Sequence, residues 1–246
     1  MEKPVKILTF TPVFQRREVF EICLDGIKRL INYDKKRFEI QPFFIVSELW
    51  AAQLLTKLKY EFLFAANNPL GNKKNEGLKY ALQNYQFDYL MEIGSDDIIT
   101  NDYLEIILPY IEAKTPQFHL SDVYFVDVRN GKTAYWKTQK ILGAGRCISR
   151  KALKTVTDRL PLWNPEGARG MDTWSFNTLM KCGIGNTIIH TPEHHALDIK
   201  SEININKLSN FATSHKTIDE ILAPFYEKEM INKLIEKHKT PQPCTS

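Results

Sequence analysis

The sequence predicts an α/β fold: a mostly parallel central sheet with helices on both faces and a helical extension at the C-terminal end. Three observations predict it. Strand-like and helix-like patterns alternate over about the first 100 residues, the signature of an open parallel sheet. The composition, 43% hydrophobic and 25% charged over 246 residues, is that of a globular chain able to bury a sizeable core. Beyond the alternating part, Asn130-Gly131 stands between two alternating β-rich runs, the strongest short-range hairpin signal.

The elements follow in order. "VKILTFT" (5–11) is apolar and β-branched, as a buried strand requires, and Pro12 ends it. The next segment places Val19, Phe20, Cys23, Ile27, Leu30 and Ile31 on one helical stripe. "FEIQPFFIVS" (38–47) reads as a second strand, with Pro42 demanding an edge or bend. "LWAAQLLTKLKY" suits a helix and "EFLFAA" (61–66) a third strand. "NNPLGN" is loop by composition, and "EGLKYALQNY" is a helix burying Leu78, Ala81, Leu82 and Tyr85. "DYLMEI" is a short fourth strand. Further on, Ser149 is suited to cap a basic helix, and "GMDTWSFNTLMKCG" is a helix closed by Gly183. "NTIIHT" reads as a strand, and Thr217 with Glu220 forms a capping box for a last helix that Pro224 should kink. "TPQPCTS" is expected to fray.

Composition narrows the function classes. Cys23, Cys147, Cys182 and Cys244 are widely spaced with no C-x-x-C pair, which argues for reduced thiols over a disulfide framework or zinc site. No signal-peptide pattern opens the chain, and no run reaches the ~18 apolar residues of a membrane helix. These features predict a cytoplasmic protein, which would meet any lipid-linked partner at the membrane surface. A net charge of +4 does not argue for a nucleic-acid partner. The basic run Lys137, Lys140, Arg146, Arg150, Lys151, Lys154 and Arg159 is the one feature in favour of such a partner.

The chemistry centres on "MEIGSDDIIT" (91–100), where Asp96 and Asp97 follow the fourth strand. In open parallel sheets ligands bind at the carboxyl ends of strands, so the pair stands on the ligand edge. Two adjacent like charges suit a hard cation, though turns also favour Asp.

Four segments, "KILTFTPVFQRREVFEICLDGI", "NNPLGNKKNEGLKYAL", "DYLMEIGSDDIIT" and "GMDTWSFNTLMKCG", resemble in order and spacing a family 2-like glycosyltransferase of the GT-A fold. The resemblance covers roughly residues 5–190. The chain shows no internal repeat, low-complexity tract or linker, so one domain is expected across 1–246, and the resemblance implies a nucleotide-binding half to about 100, an acceptor and catalytic half to about 200, and a helical extension after that. It also implies that Thr11, Pro12, Phe14 and Arg16 wrap the nucleotide, Glu48 meets the base, and Lys74 and Asn75 reach the nucleotide. The metal motif aligns as Gly94-Ser95-Asp96, with glycine in place of its first Asp. Asp96 then becomes the metal ligand with Asp97 in support, and Ser95 or backbone groups stand in for the lost carboxylate. Asp172 matches the catalytic base, although Met171 stands where Glu is common. From "HTPEHHALDIKSE", the resemblance implies that a histidine such as His194 completes the metal shell; His190, His195 and Asp198 lie in the same stretch.

Read this way, the chain would use Mg²⁺ or Mn²⁺ and a nucleotide sugar, and would transfer the sugar to a glycan, lipid-linked or other hydroxyl acceptor with inversion. Such a cation neutralises a departing diphosphate, and a carboxylate on the opposite side takes the acceptor proton. A nucleotidyltransferase is the rival enzyme, but it wants a glycine-rich basic loop after the first strand, and "TPVFQRRE" has no glycine. A binding protein that kept the fold and lost the chemistry is the third reading, prompted by Gly94 and Met171.

Overall fold

The apolar run after residue 4 forms β1 (Val5–Val13), and in the computed structural model its alternate side chains enter two different cores. The structure describes residues 3–191, 195–201, 216–224 and 228–238. Next come α1 (Arg17–Asn32), β2 (Phe38–Val46), α2 (Leu49–Lys57), β3 (Phe62–Phe64), α3 (Leu70–Asn84) and β4 (Tyr89–Glu92). After these come β5 (Asp97–Ile99), α4 (Tyr103–Glu112), β6 (Gln117–Leu120), β7 (Asp122–Asp127) and β8 (Lys132–Lys137). The chain continues as β9 (Cys147–Ser149), α5 (Arg150–Thr157), α6 (Met171–Lys181), β10 (Thr187–Ile189) and β11 (Ala196–Lys200). The last elements among the described residues are α7 (Ile218–Leu222) and α8 (Lys228–His238).

Seven strands form the central sheet in the order β10-β6-β9-β4-β1-β2-β3. β9 alone runs antiparallel to its neighbours, so the sheet is mostly parallel, as predicted. Ile7, Phe44 and Met91 face one side with Phe20 and Cys23 of α1 and Leu104 of α4. Leu8, Phe43, Ile45 and Leu90 face the other with Leu78 of α3, Leu153 of α5 and Leu179 of α6. Each such buried side chain contributes about 1.5–3 kcal/mol. Pro42 sits within β2 at no hydrogen-bonding cost, because β3 pairs only with Phe44–Val46 and leaves that flank an edge.

A second sheet, β5-β11-β7-β8, supplies what the first half of the sequence could not. The hairpin of β7 and β8 turns through Asn130-Gly131, with Gly131 at φ 68°. Period-two alternation gives this sheet two faces. Ile98, Tyr124, Val126, Leu197 and Ile199 pack on Val19 and on Ile218, Leu222 and Ile231 of the C-terminal helices. The opposite face carries Asp97, Val123, Phe125, Trp136 and Asp198 toward the carboxyl edge of the central sheet.

Several expectations change. α3 begins at Leu70, so Lys74 and Asn75 lie inside a helix where a preceding loop was predicted. Cys147–Ser149 is a strand, and part of the histidine-rich stretch is β11. Pro224 follows the end of α7, separating two helices where one kinked helix was expected. The Ser149 cap and the Thr217–Glu220 capping box form as predicted. His194 and the tail from 239 lie outside the described residues. No helix among the described residues is long and apolar enough to cross a membrane.

Candidate active site

A cleft of ≈ 230 Å³ opens where the chain leaves β4 for the second sheet. Pro12, Lys74, Asp96, Asp97, Asp172 and Asp198 line it, with an aromatic wall of Phe10, Phe125 and Trp136. Strand direction explains the meeting. The ends of β1 and β4 and the start of antiparallel β9 all fall on one edge, and the second sheet faces that edge.

The turn after β4 is built around its own carboxylates. Asp97 accepts the Gly94 N–H at 2.7 Å, while Gly94 O accepts the Asp97 N–H at 3.1 Å. A Cβ at position 94 would lie 2.7 Å from Asp97 Oδ2 and 3.0 Å from Asp96 Oδ1. Glycine is therefore what lets both carboxylates approach this turn, and a side chain here would force them to move. Ser95 is buried within the turn.

Asp97 and Asp198 are direct cross-strand partners, an arrangement that like charges normally disfavour. Burial raises the Asp97 carboxyl well above its usual range, and the charges of Asp96 and Asp198 raise it further. Burial likewise lifts Asp198 to about 6 despite Lys200 at 2.6 Å. Asp198 Oδ1 is buried with no hydrogen-bond partner. Asp96 binds Arg16 Nη1 at 2.9 Å. Arg16 sits at φ 50° beside Gln15 at φ 55°, and the Gln15 N–H donates to Glu48 Oε2 at 2.5 Å. Two consecutive left-handed residues are thus tied to two carboxylates.

The donor chemistry of Asp96, Asp97 and Asp198 fits a hard cation, because all are carboxylates and one oxygen lacks a partner. Among the described residues no three or more Asp, Glu, His or Cys side chains are grouped so as to hold a metal ion by themselves. Mg²⁺ in phosphate-binding sites uses one or two carboxylates plus phosphate oxygens and water, so an open pair suffices.

Beneath the cleft lies a buried ion network. Glu92 receives Lys74 Nζ at 2.8 Å and Arg146 Nε at 2.7 Å. Burial alone would raise the Glu92 carboxyl, but Arg146 and Lys74 hold it below its ordinary value. Lys74 also stands 4.2 Å from the Trp163 ring centre, which stacks on Phe10. Asn75 grips the Trp163 backbone, donating to its carbonyl at 2.8 Å and accepting its N–H at 3.1 Å.

Asp172 enters from the first turn of α6, whose preceding Gly170 takes φ 65°. Desolvation raises its carboxyl, Arg146 and Lys74 lower it, Glu92 raises it, and the Gly143 N–H lowers it. A Cβ on Gly143 would approach Asp172 Oδ1 to 2.7 Å, so glycine allows the backbone this close.

Of the residues predicted from sequence, Pro12, Lys74, Asp96, Asp97 and Asp172 line the cleft. Thr11 is fully buried, Phe14 is exposed, and Arg16, Glu48, Asn75 and the buried Ser95 do not line it, though Arg16 reaches it through Asp96. Glu92, Gly143, Arg146 and Ser175 escaped the sequence reading. The clue for Glu92 was a carboxylate ending an otherwise apolar strand. Arg146 looked like part of a basic face, but it is fully buried. Arg150 of the same run donates to Leu82 O and Tyr85 O at the end of α3, while Lys151, Lys154 and Arg159 remain exposed. His195 is buried, with Nδ1 near Thr100 Oγ1 and Asp102.

No family model matches the chain, and no curated protein matches it. Solved structures do. S. aureus TarS (1–349) in complex with UDP-GlcNAc aligns with a TM-score of 0.57 at 14% identity, over 95% of this chain and 71% of that one. A longer S. aureus TarS chain gives 0.59 at 12% identity, with 95% of this chain and 43% of that one covered. In a further TarS 1–349 structure the chain spans 60% of the neighbour's length. CMP:2-keto-3-deoxy-manno-octonic acid synthetase complexed with CTP gives 0.51 at 12% identity, over 76% of this chain and 90% of that one. A 4-diphosphocytidyl-2C-methyl-D-erythritol synthase gives 0.54 at 11% identity, over 82% and 95%. The fold is thus of the GT-A type.

Proposed function

We propose that residues 1–246 form a single nucleotide-dependent transferase domain that moves a sugar from a nucleotide sugar to an acceptor hydroxyl, with inversion. The observation that carries the reading is one cleft that joins the Asp96, Asp97 and Asp198 carboxylates to a separate carboxylate, Asp172, on another element. The likeness to TarS, solved with UDP-GlcNAc, supports a nucleotide-sugar donor.

In this reading Asp96 and Asp198 hold Mg²⁺ or Mn²⁺, with Asp97 in support, and the cation supplies neutralisation of the diphosphate leaving group when bound. Asp172 takes the proton of the acceptor hydroxyl as its oxygen attacks the anomeric carbon, opposite the departing nucleotide. Desolvation raises the Asp172 carboxyl and strengthens it as a base, while the charges of Arg146 and Lys74 oppose that rise. Trp136, partly exposed in the cleft wall, offers a face on which a sugar ring can stack.

The test is a thermal-shift panel of UDP-, GDP-, CDP- and dTDP-linked sugars with and without MnCl₂. A ligand at ~100 times its Kd stabilises by about 2.7 kcal/mol. The expected result is a metal-dependent shift that Asp96→Ala abolishes, with Asp172→Asn retaining binding and losing transfer. A shift indifferent to metal and to Asp96, or none at all, would overturn the reading.

A second reading, nucleotidyl transfer, is favoured by one observation: the chain spans 90% and 95% of the two synthetase and synthase neighbours. Pyrophosphate release from CTP with a sugar acid or sugar phosphate, and no transfer from nucleotide sugars, would establish it instead.

A further inference from the structure

We infer that Arg146 and Ser175 form a buried unit that positions the Asp172 carboxylate in the cleft without touching substrate. This rests on the reading of Asp172 as the proton acceptor. Arg146 has no solvent exposure, and its Nη2 donates to Ser175 Oγ at 2.7 Å. Ser175 Oγ in turn donates to the Asp172 backbone oxygen at 3.0 Å, one turn back in α6. The same arginine governs the other side of the carboxylate. Its N–H donates to Gly143 O at 3.0 Å, and its carbonyl accepts the Glu92 N–H at 2.8 Å. Gly143 is the residue whose backbone meets Asp172. The side chain at position 146 therefore holds the turn that presents the carboxylate, while its main chain holds the loop that receives it.

Structural need alone is a poor account of this arginine. Its Nη1 is buried with no hydrogen-bond partner, and an apolar side chain of similar volume usually serves a core at least as well. The helix turn also needs the anchor, because α6 has no side-chain cap at Gly170. Asp172 faces Arg146, Lys74 and Glu92, and shares the cleft with Asp96, Asp97 and Asp198.

Ser175→Ala is the decisive variant, since it removes one hydroxyl and leaves the Glu92 pairs in place. Asp172 is followed by NMR of protein carrying ¹³C-carboxyl aspartate, with Asp172→Asn identifying its resonance. The full-length variant should keep its circular dichroism, while the Asp172 titration midpoint rises by about one pH unit, the size of one weakened hydrogen bond to a charged group. In transfer assays with whichever nucleotide sugar binds, kcat should fall about tenfold with KM for the donor unchanged. A folded Ser175→Ala protein with an unmoved midpoint and unchanged kcat overturns the inference. Should that variant fail to fold, Arg146→Lys is judged by the same two readouts, because an ammonium keeps the charge on Glu92 and loses the fork. The failure of the functional reading looks different: Asp172→Asn would leave transfer intact, while the midpoint shift would still report positioning.

Discussion

Replacing Glu92 by Gln should be among the most damaging single substitutions in this protein. The side chain is 5% exposed and lies between Lys74 at 2.8 Å and Arg146 at 2.7 Å. Gln fills the same space but takes from two buried cations the carboxylate they both contact, leaving only the charge of Asp172 near them. Breaking a buried ion pair in this way costs about 3–5 kcal/mol, against a total stability of about 5–15 kcal/mol for most domains. For a chain of this size that corresponds to a Tm lowered by roughly 6–20 °C. The pH dependence has a definite sign. Arg146 and Lys74 hold the Glu92 carboxyl below its ordinary value in the folded state. Its contribution is therefore complete above the unfolded carboxyl pKa and is lost as pH falls through the lower folded value. Urea unfolding of both proteins, followed by circular dichroism, should show a large gap at pH 7 that narrows below about pH 4. The quadruple variant Glu92→Leu, Lys74→Met, Arg146→Leu, Asp172→Asn should cost less than Glu92→Gln alone, since it strands no charge. A loss under about 1 kcal/mol at pH 7 would refute the argument, because that is the value of an exposed pair.

Other outcomes follow from the same packing. Lys73 is fully buried, donating to Val13 O at 2.6 Å, and burial pulls its ammonium down to about 7 from an ordinary 10.5 with Glu48 opposing. The unfolded chain then binds more protons between those values. Stability should rise with pH across that window by up to about 1.4 kcal/mol per unit, a slope that Lys73→Met removes; equal slopes in urea titrations at pH 6.5, 8 and 9.5 would refute it. Gly71→Ala should destabilise more than Gly77→Ala. Its Cβ would stand 1.7 Å from the Asn164 backbone oxygen, whereas the Cβ at 77 would meet the tip of Ile45 at 2.2 Å. Overpacking of the Gly77 kind costs about 1–3 kcal/mol, so the two Tm values should order accordingly, and the reverse order would count against the reasoning. Arg16→Gln should tighten Mn²⁺ binding without nucleotide about fivefold or more, since it removes the cation that Asp96 now holds at 2.9 Å. Free Mn²⁺ measured by electron paramagnetic resonance would test this, an unchanged affinity being the adverse result.

Much of the fold was legible because the relevant signals are local. Apolar runs of strand length, a helical stripe on Val19 to Leu30, an Asn-Gly turn and two side-chain caps act within a few residues. The four-strand alternation also placed Asp96 and Asp97 at the ligand edge. Short elements defeated the same reading. β9 has three residues and no period to detect, and the first turn of α3 looks like loop because Pro69, Gly71 and Asn72 are turn formers. Packing of Gly71 against the 164–167 loop, with its N–H on Gly167 O at 2.9 Å, overrides that preference.

By itself, then, the sequence determined the sheet's direction and the standing of Asp96 and Asp97 at its carboxyl edge. Only the tertiary structure decided which charges face one another. Asp97 meets Asp198 because β5 pairs antiparallel with β11, and Glu92 meets Arg146 because β9 runs against β4. These pairs are separated by far more chain than any local pattern spans, and their register depends on strand order. The strength of a buried charge depends on its partners and on the water excluded around it, so the site's chemistry emerges only when the strands are in place.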